Sequence, residues 1–129
     1  MVIDSSALFA IAFNEPERLS FLELLLSVPR CVMGAPTLLE CRIVALRRAG
    51  HDWNARLQSV IDRFDFSIVP FEAEHAVLAT EAFRRYGKGQ NRAGLNFGDC
   101  MSYAIAKARN EPLLFKGDDF RATDIALAV

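Results

Sequence analysis

Five acidic residues stand where a folded chain can use them for chemistry. Asp4 ends the apolar run Met1-Val2-Ile3, and Glu40 lies in the stretch that follows Cys31-Val32-Met33. Asp99 opens a segment that runs to Arg109, and Asp118 and Asp119 come just after Leu113-Leu114-Phe115. Carboxylates brought together repel one another and raise each other's pKa, so a cleft that gathers several needs a cation to neutralise them. Hard oxygen donors select Mg²⁺ or Mn²⁺. Such an ion orients a water nucleophile and stabilises charge on a phosphoryl oxygen, so the chemistry indicated is phosphodiester hydrolysis. The same acids have a plainer use, because strand ends and first helical turns take acids as caps and dipole partners. Spacing alone leaves both readings open.

The elements that would position these acids follow from the apolar pattern. Short apolar runs predict strands over 1–3, 31–33, 66–69 and 113–115, with a last short strand over 125–129. Between them, helices are predicted over 7–13 with Ser5 and Ser6 as caps, 17–27, 37–48 with Pro36 in its first turn, 53–64 capped by Asp52, 72–86 and 99–109. Leu19, Leu22 and Leu26 are expected on the core face of the second helix, and Leu39, Ile43 and Leu46 on that of the third, with Glu40 at its margin. Residues 87–98 carry Gly, Asn, Gln and Arg and read as a long functional loop with little that can pack. Strands alternating with helices give an α/β fold: a three-layer α/β/α sandwich around a central, mostly parallel sheet. In such folds the site lies at the carboxyl ends of the strands, where Asp4, Asp99 and the Asp118–Asp119 pair are expected.

The whole chain sets the bounds. Its 129 residues fit a single domain spanning 1–129, and 52% apolar content allows a substantial core. Fifteen basic residues against sixteen acidic ones argue against binding nucleic acid by bulk positive charge, although local patches and metal ions can still hold phosphate. Cys31, Cys41 and Cys100 are odd in number and widely spaced, so neither a disulfide framework nor a zinc site is expected. No signal peptide is visible, and no apolar run approaches the ~20 residues of a membrane span. A soluble, cytoplasmic protein without membrane contact is expected.

Four segments, Met1-Val2-Ile3-Asp4-Ser5-Ser6-Ala7-Leu8, Pro36-Thr37-Leu38-Leu39-Glu40, Leu95-Asn96-Phe97-Gly98-Asp99-Cys100 and the run from Leu114 through Lys116-Gly117-Asp118-Asp119-Phe120 to Ile125, stand in this order. Together they resemble the VapC-type toxins of the PIN-domain family, over essentially the whole chain. The resemblance implies a PIN fold and a Mg²⁺- or Mn²⁺-dependent endoribonuclease. It also implies a homodimer held inactive by a cognate VapB-like antitoxin. The family's first three acids fall on Asp4, Glu40 and Asp99, with Asp4 and Asp99 as the metal ligands. The fourth falls on Asp119, with Asp118 as a supporting candidate. Ser6 matches a small hydroxyl residue that would orient Asp4 or a metal-bound water.

Other residues carry weaker signals. His51 and His75 lie far from the acids and suit surface or helix-terminal roles, and Trp53 suits packing. Arg84, Arg85, Lys88 and Arg92 form a basic run that reads equally as a solvated helix end or as a grip on RNA phosphates. The leucine-rich second helix offers surplus apolar surface for a partner. Two alternatives to the ribonuclease are a catalytically inactive PIN-like binding module and a receiver-like phosphotransfer domain. The intact acid set opposes the first. Ser6, where a receiver-like domain would carry a second acid, opposes the other.

Overall fold

The computed structural model describes residues 1–90 and 92–129. Four strands, β1 (Val2–Ile3), β2 (Val32–Gly34), β3 (Ser67–Val69) and β4 (Leu113–Leu114), form one sheet in the order β3-β2-β1-β4. Every pairing is parallel, with Val2 opposite both Val32 and Leu113. Six helices connect them: α1 (Ser5–Ala12), α2 (Arg18–Ser27), α3 (Ala35–Arg47), α4 (Trp53–Arg63), α5 (Ala73–Tyr86) and α6 (Phe97–Arg109). Among the described residues no helix is long and apolar enough to cross a membrane.

The strands are short, but their alternation organises the molecule. Successive side chains of a strand point to opposite faces. Ile3, Met33 and Leu114 enter one core with Leu8, Ile11, Phe21, Leu25, Cys41 and Leu57 of α1–α4. Val2, Val32 and Leu113 enter the other with Tyr86, Tyr103 and Ile105 of α5 and α6, closed by Phe115, Phe120 and Ile125. Both sheet faces are therefore covered, as the sequence predicts. All three cysteines are buried and free.

Several expectations are corrected. On α2, Leu19 and Leu26 are 68% and 73% exposed, while Phe21 and Leu25 are buried. On α3 the buried face is Thr37, Cys41 and Ala45, and Leu39, Ile43 and Leu46 lie outside it. Small residues at i, i+4 and i+8 let α3 approach the sheet closely, so the larger leucines and isoleucine are turned outward. Residues 125–129 form no strand: only Leu127 bridges to Leu113. The loop before α6 packs better than expected, because Ala93 and Leu95 are buried and Leu95 bridges to Gly87. Asn91, part of that loop reading, lies outside the described residues.

Candidate active site

β1 lies between β2 and β4, so Asp4, the residue after it, stands at the middle of the carboxyl edge. The chain runs outward from β1 to β2 and β3 and returns on the other side as β4. A change of direction of this kind is where α/β sheets place their ligand sites. Asp4 is 3% exposed and is the N-cap of α1. Ser5 and Ser6, expected as caps, are instead the first two helical residues. The backbone N–H of Ser6 donates to Asp4 Oδ2 at 3.0 Å and the Ser6 hydroxyl donates to the same oxygen at 2.6 Å. The Ser102 hydroxyl donates to Asp4 Oδ1 at 2.6 Å. Both carboxylate oxygens are thus fixed, and a buried carboxylate needs such donors. Ser6 Oγ also accepts the Lys116 N–H at 3.0 Å, tying the loop after β4 to the same point.

α3 follows β2 and α6 precedes β4, so the N-termini of both helices lie at this edge. Glu40 sits in the second turn of α3. Its pKa is raised by burial and by the charge of Asp4, against a hydrogen bond from Ser5. Asp99 lies in the first turn of α6 within a capping box: it accepts the Asn96 N–H at 2.8 Å, while Asn96 Oδ1 accepts the Asp99 N–H at 2.9 Å. Burial pushes Asp99 up to about 7; the Asn96 N–H opposes this, and the charges of Asp4, Asp119 and Glu40 add to it. Asp4, Glu40, Asp99 and Asp119 are therefore electrostatic neighbours. Asp118 is not among the charges acting on Asp99. Its side chain is 92% exposed and accepts from Arg121 Nε at 2.9 Å.

A family model described as the PIN domain matches residues 1–126. The chain belongs to the PIN-domain family. Among curated relatives, a ribonuclease VapC of Mycolicibacterium smegmatis is 44% identical over 126 residues, covering 98% of each chain. Ribonuclease VapC30 of Mycobacterium tuberculosis is 42% identical, covering 98% of this PIN domain and 96% of that protein. The fold matches Mycobacterium tuberculosis VapC20, described as a sarcin-ricin loop cleaving toxin, with a TM-score of 0.76 at 18% identity over 97% of this chain and 95% of that one. It also matches VapBC2 from Rickettsia felis bound to a promoter DNA fragment, with a TM-score of 0.74 at 16% identity over 98% and 95%.

The donors of this PIN domain fit a hard divalent cation. They are carboxylate and hydroxyl oxygens. The two soft candidates beside the acids stay neutral: burial, Asp4 and Glu40 push the Cys41 thiol up, and burial and Asp99 push Cys100 up to about 11. Among the described residues no group of three or more His, Cys, Asp or Glu side chains is arranged as a ready metal cage. Mg²⁺ does not require one, since it binds through one or two carboxylates and keeps several waters.

Sequence reasoning missed two members of this constellation. Ser102 and Thr37 are buried, with their hydroxyls 3.4 Å apart, and Ser102 reaches Asp4 directly. Each lies three residues from a candidate acid on its own helix, Ser102 after Asp99 and Thr37 before Glu40, so the i,i+3 spacing held the signal. The other residues take structural places. His75 Nδ1 accepts the Glu72 N–H at the start of α5, and Trp53 packs edge-on against Phe13 and His51. Arg84 pairs with Glu81 and Arg85 with Asp124, and all four residues of the basic run, Lys88 and Arg92 included, are exposed.

Proposed function

We propose that this protein is a divalent-metal-dependent endoribonuclease, the toxin of a toxin–antitoxin pair, acting in the cytoplasm. The observation that carries the reading is Asp4: a buried carboxylate with both oxygens fixed, at the middle of the carboxyl edge, within electrostatic reach of Glu40 and Asp99. Asp4 and Asp99 would hold Mg²⁺ (or Mn²⁺), with Glu40 and Asp119 completing the acidic site. When bound, the ion supplies an activated water and positive charge beside the phosphoryl oxygen. Ser6 and Ser102 hold the Asp4 carboxylate in one orientation. Asp99, raised to about 7 by burial and its acidic neighbours, would bind the cation in competition with a proton. Asp118, exposed and paired with Arg121, stands as a support of the loop.

The relatives named ribonuclease VapC support RNA as the substrate, and a neighbour described as a member of the VapBC toxin–antitoxin family supports a VapB-like antitoxin as partner. A groove between α2 and α4 offers that partner Leu22 and Leu26 beside Arg18, Arg56 and Arg63. An Arg from its tail would pair with the acids and displace the metal. A homodimer has its best support on α3 and α6, where Leu39, Ile43, Val44 and Phe97 form an exposed apolar face around Met101.

The test is incubation of the purified protein with total RNA in Mg²⁺ and in EDTA, with mapping of new ends. Discrete new ends that need Mg²⁺ are expected. RNA left intact in both, or cut equally in both, would overturn the proposal.

A further inference from the structure

Gly98 is the second residue of α6, between Phe97 and the candidate ligand Asp99. Glycine inside a helix costs roughly 1 kcal/mol relative to alanine. Here the backbone does not require it, since Gly98 is not among the positive-φ residues. What requires it is space. A Cβ on Gly98 would lie 2.9 Å from Glu40 Oε2 and 3.2 Å from Glu40 Oε1, with Asn96 Oδ1 at 3.3 Å. The Glu40 carboxylate therefore occupies the room that any other side chain would fill. It is pressed against the first turn of α6 directly before Asp99, where the helix dipole favours an acid.

We propose that Gly98 is a positioning residue of the metal site: its missing side chain fixes where the Glu40 carboxylate sits relative to Asp4 and Asp99. The inference rests on the ribonuclease reading and deepens it. The obstructed atoms are the far end of a flexible side chain, so Gly98→Ala can be accommodated by swinging Glu40 away while the fold stays intact. Ordinary contact at about 3.4 Å or more requires a displacement of at least half an ångström, which is the tolerance of a preorganised site. Glu40 then leaves the acidic cluster, and the affinity of the site for a hard cation falls.

The experiment measures three things for wild type, Gly98→Ala, Glu40→Ala and the double variant: melting in EDTA, Mg²⁺ binding by calorimetry, and cleavage of RNA. Gly98→Ala is expected to melt at or above the wild-type temperature in EDTA, because alanine is the better helix former. Its Mg²⁺ dissociation constant should rise roughly tenfold and its cleavage should fall by a similar factor. In the Glu40→Ala background the same substitution should change Mg²⁺ binding less than about twofold, since only the milder contact with Asn96 Oδ1 remains. Wild-type binding in Gly98→Ala, or an equal loss in both backgrounds, overturns the proposal. If Gly98→Ala has no melting transition, Glu40→Asp is combined with it, because the shorter acid clears the added methyl group. Recovery of the fold supports the clash, and failure to recover overturns it. An active wild type beside an unimpaired Gly98→Ala removes this inference alone. A wild type that neither binds Mg²⁺ nor cuts RNA removes the ribonuclease reading as well.

Discussion

Asp4 has two uses at one position. It caps α1 through the Ser6 N–H and also faces the acidic site. The plainer reading of a strand-end acid therefore holds for this residue, and its charge also reaches Glu40 and Asp99, as the proposed chemistry requires. Asp118 and Asp119 divide differently. They are adjacent in sequence, yet only Asp119 acts on Asp99, while Asp118 is bonded to Arg121 on the exposed side of the loop. Asp119→Ala should lower RNA cleavage by about a hundredfold, whereas Asp118→Ala should stay within about threefold of wild type, as expected for loss of an exposed ion pair. Cleavage rates of the two variants at saturating Mg²⁺ decide this. Equal losses would return the fourth acid to ambiguity. Adjacency hid the difference, because both side chains are exposed and sequence cannot say which of two neighbours lies within reach of Asp99.

At the scale of elements, α3 shows what a hydrophobic pattern can mislead. Leu39, Ile43 and Leu46 form a helical stripe, yet the core takes Thr37, Cys41 and Ala45. A surplus of large apolar residues on the outer face is the sign of a second surface. Leu39→Glu should therefore convert the proposed homodimer to a monomer in light scattering, while the melting temperature at low protein concentration changes little. A dimer that persists would move the association elsewhere, with exposed Leu19 and Leu26 on α2 the next place to test. The strand and helix order was otherwise legible, because short apolar runs between capped helices have few other solutions. The last strand was not legible: Ile125 and Leu127 supply an alternating apolar pair, but the segment makes only one bridge to β4. The fold brings Asp4, Glu40 and Asp119 within electrostatic reach of Asp99. These candidate acids were picked out by the family resemblance and not by spacing alone. The hydroxyls that hold Asp4 were not, since Ser102 lies 98 residues from it and only the packing of α6 against β1 brings them together.

For the whole molecule, the cluster makes folding depend on pH. Asp99 is raised from 3.8 to about 7 and Glu40 is raised from 4.5. An acid whose pKa is higher in the folded state binds its proton more tightly there. Its contribution to stability is full below its unfolded value and is lost as pH rises toward the folded value. Glu17 and Glu111 are shifted downward, so their contributions disappear only below 4.5, and Asp124 follows at still lower pH. In EDTA the melting temperature should therefore fall between about pH 5 and pH 7, and Asp99→Asn should flatten that slope. Added Mg²⁺ should restore stability most at the upper end of the range, where protons no longer compete for the carboxylates. A metal-free protein that grows more stable across this window would contradict the shifts. Asp4, at the carboxyl edge of the sheet, is proposed as a metal-holding acid and not only as a cap. The direct test is Asp4→Asn, measured by Mg²⁺-dependent RNA cleavage and by melting in EDTA. Asn caps a helix about as well as Asp and removes one negative charge from a repelling cluster. Cleavage should fall by at least about a hundredfold, with a melting temperature equal to or above wild type. Full cleavage by Asp4→Asn at saturating Mg²⁺ would contradict it.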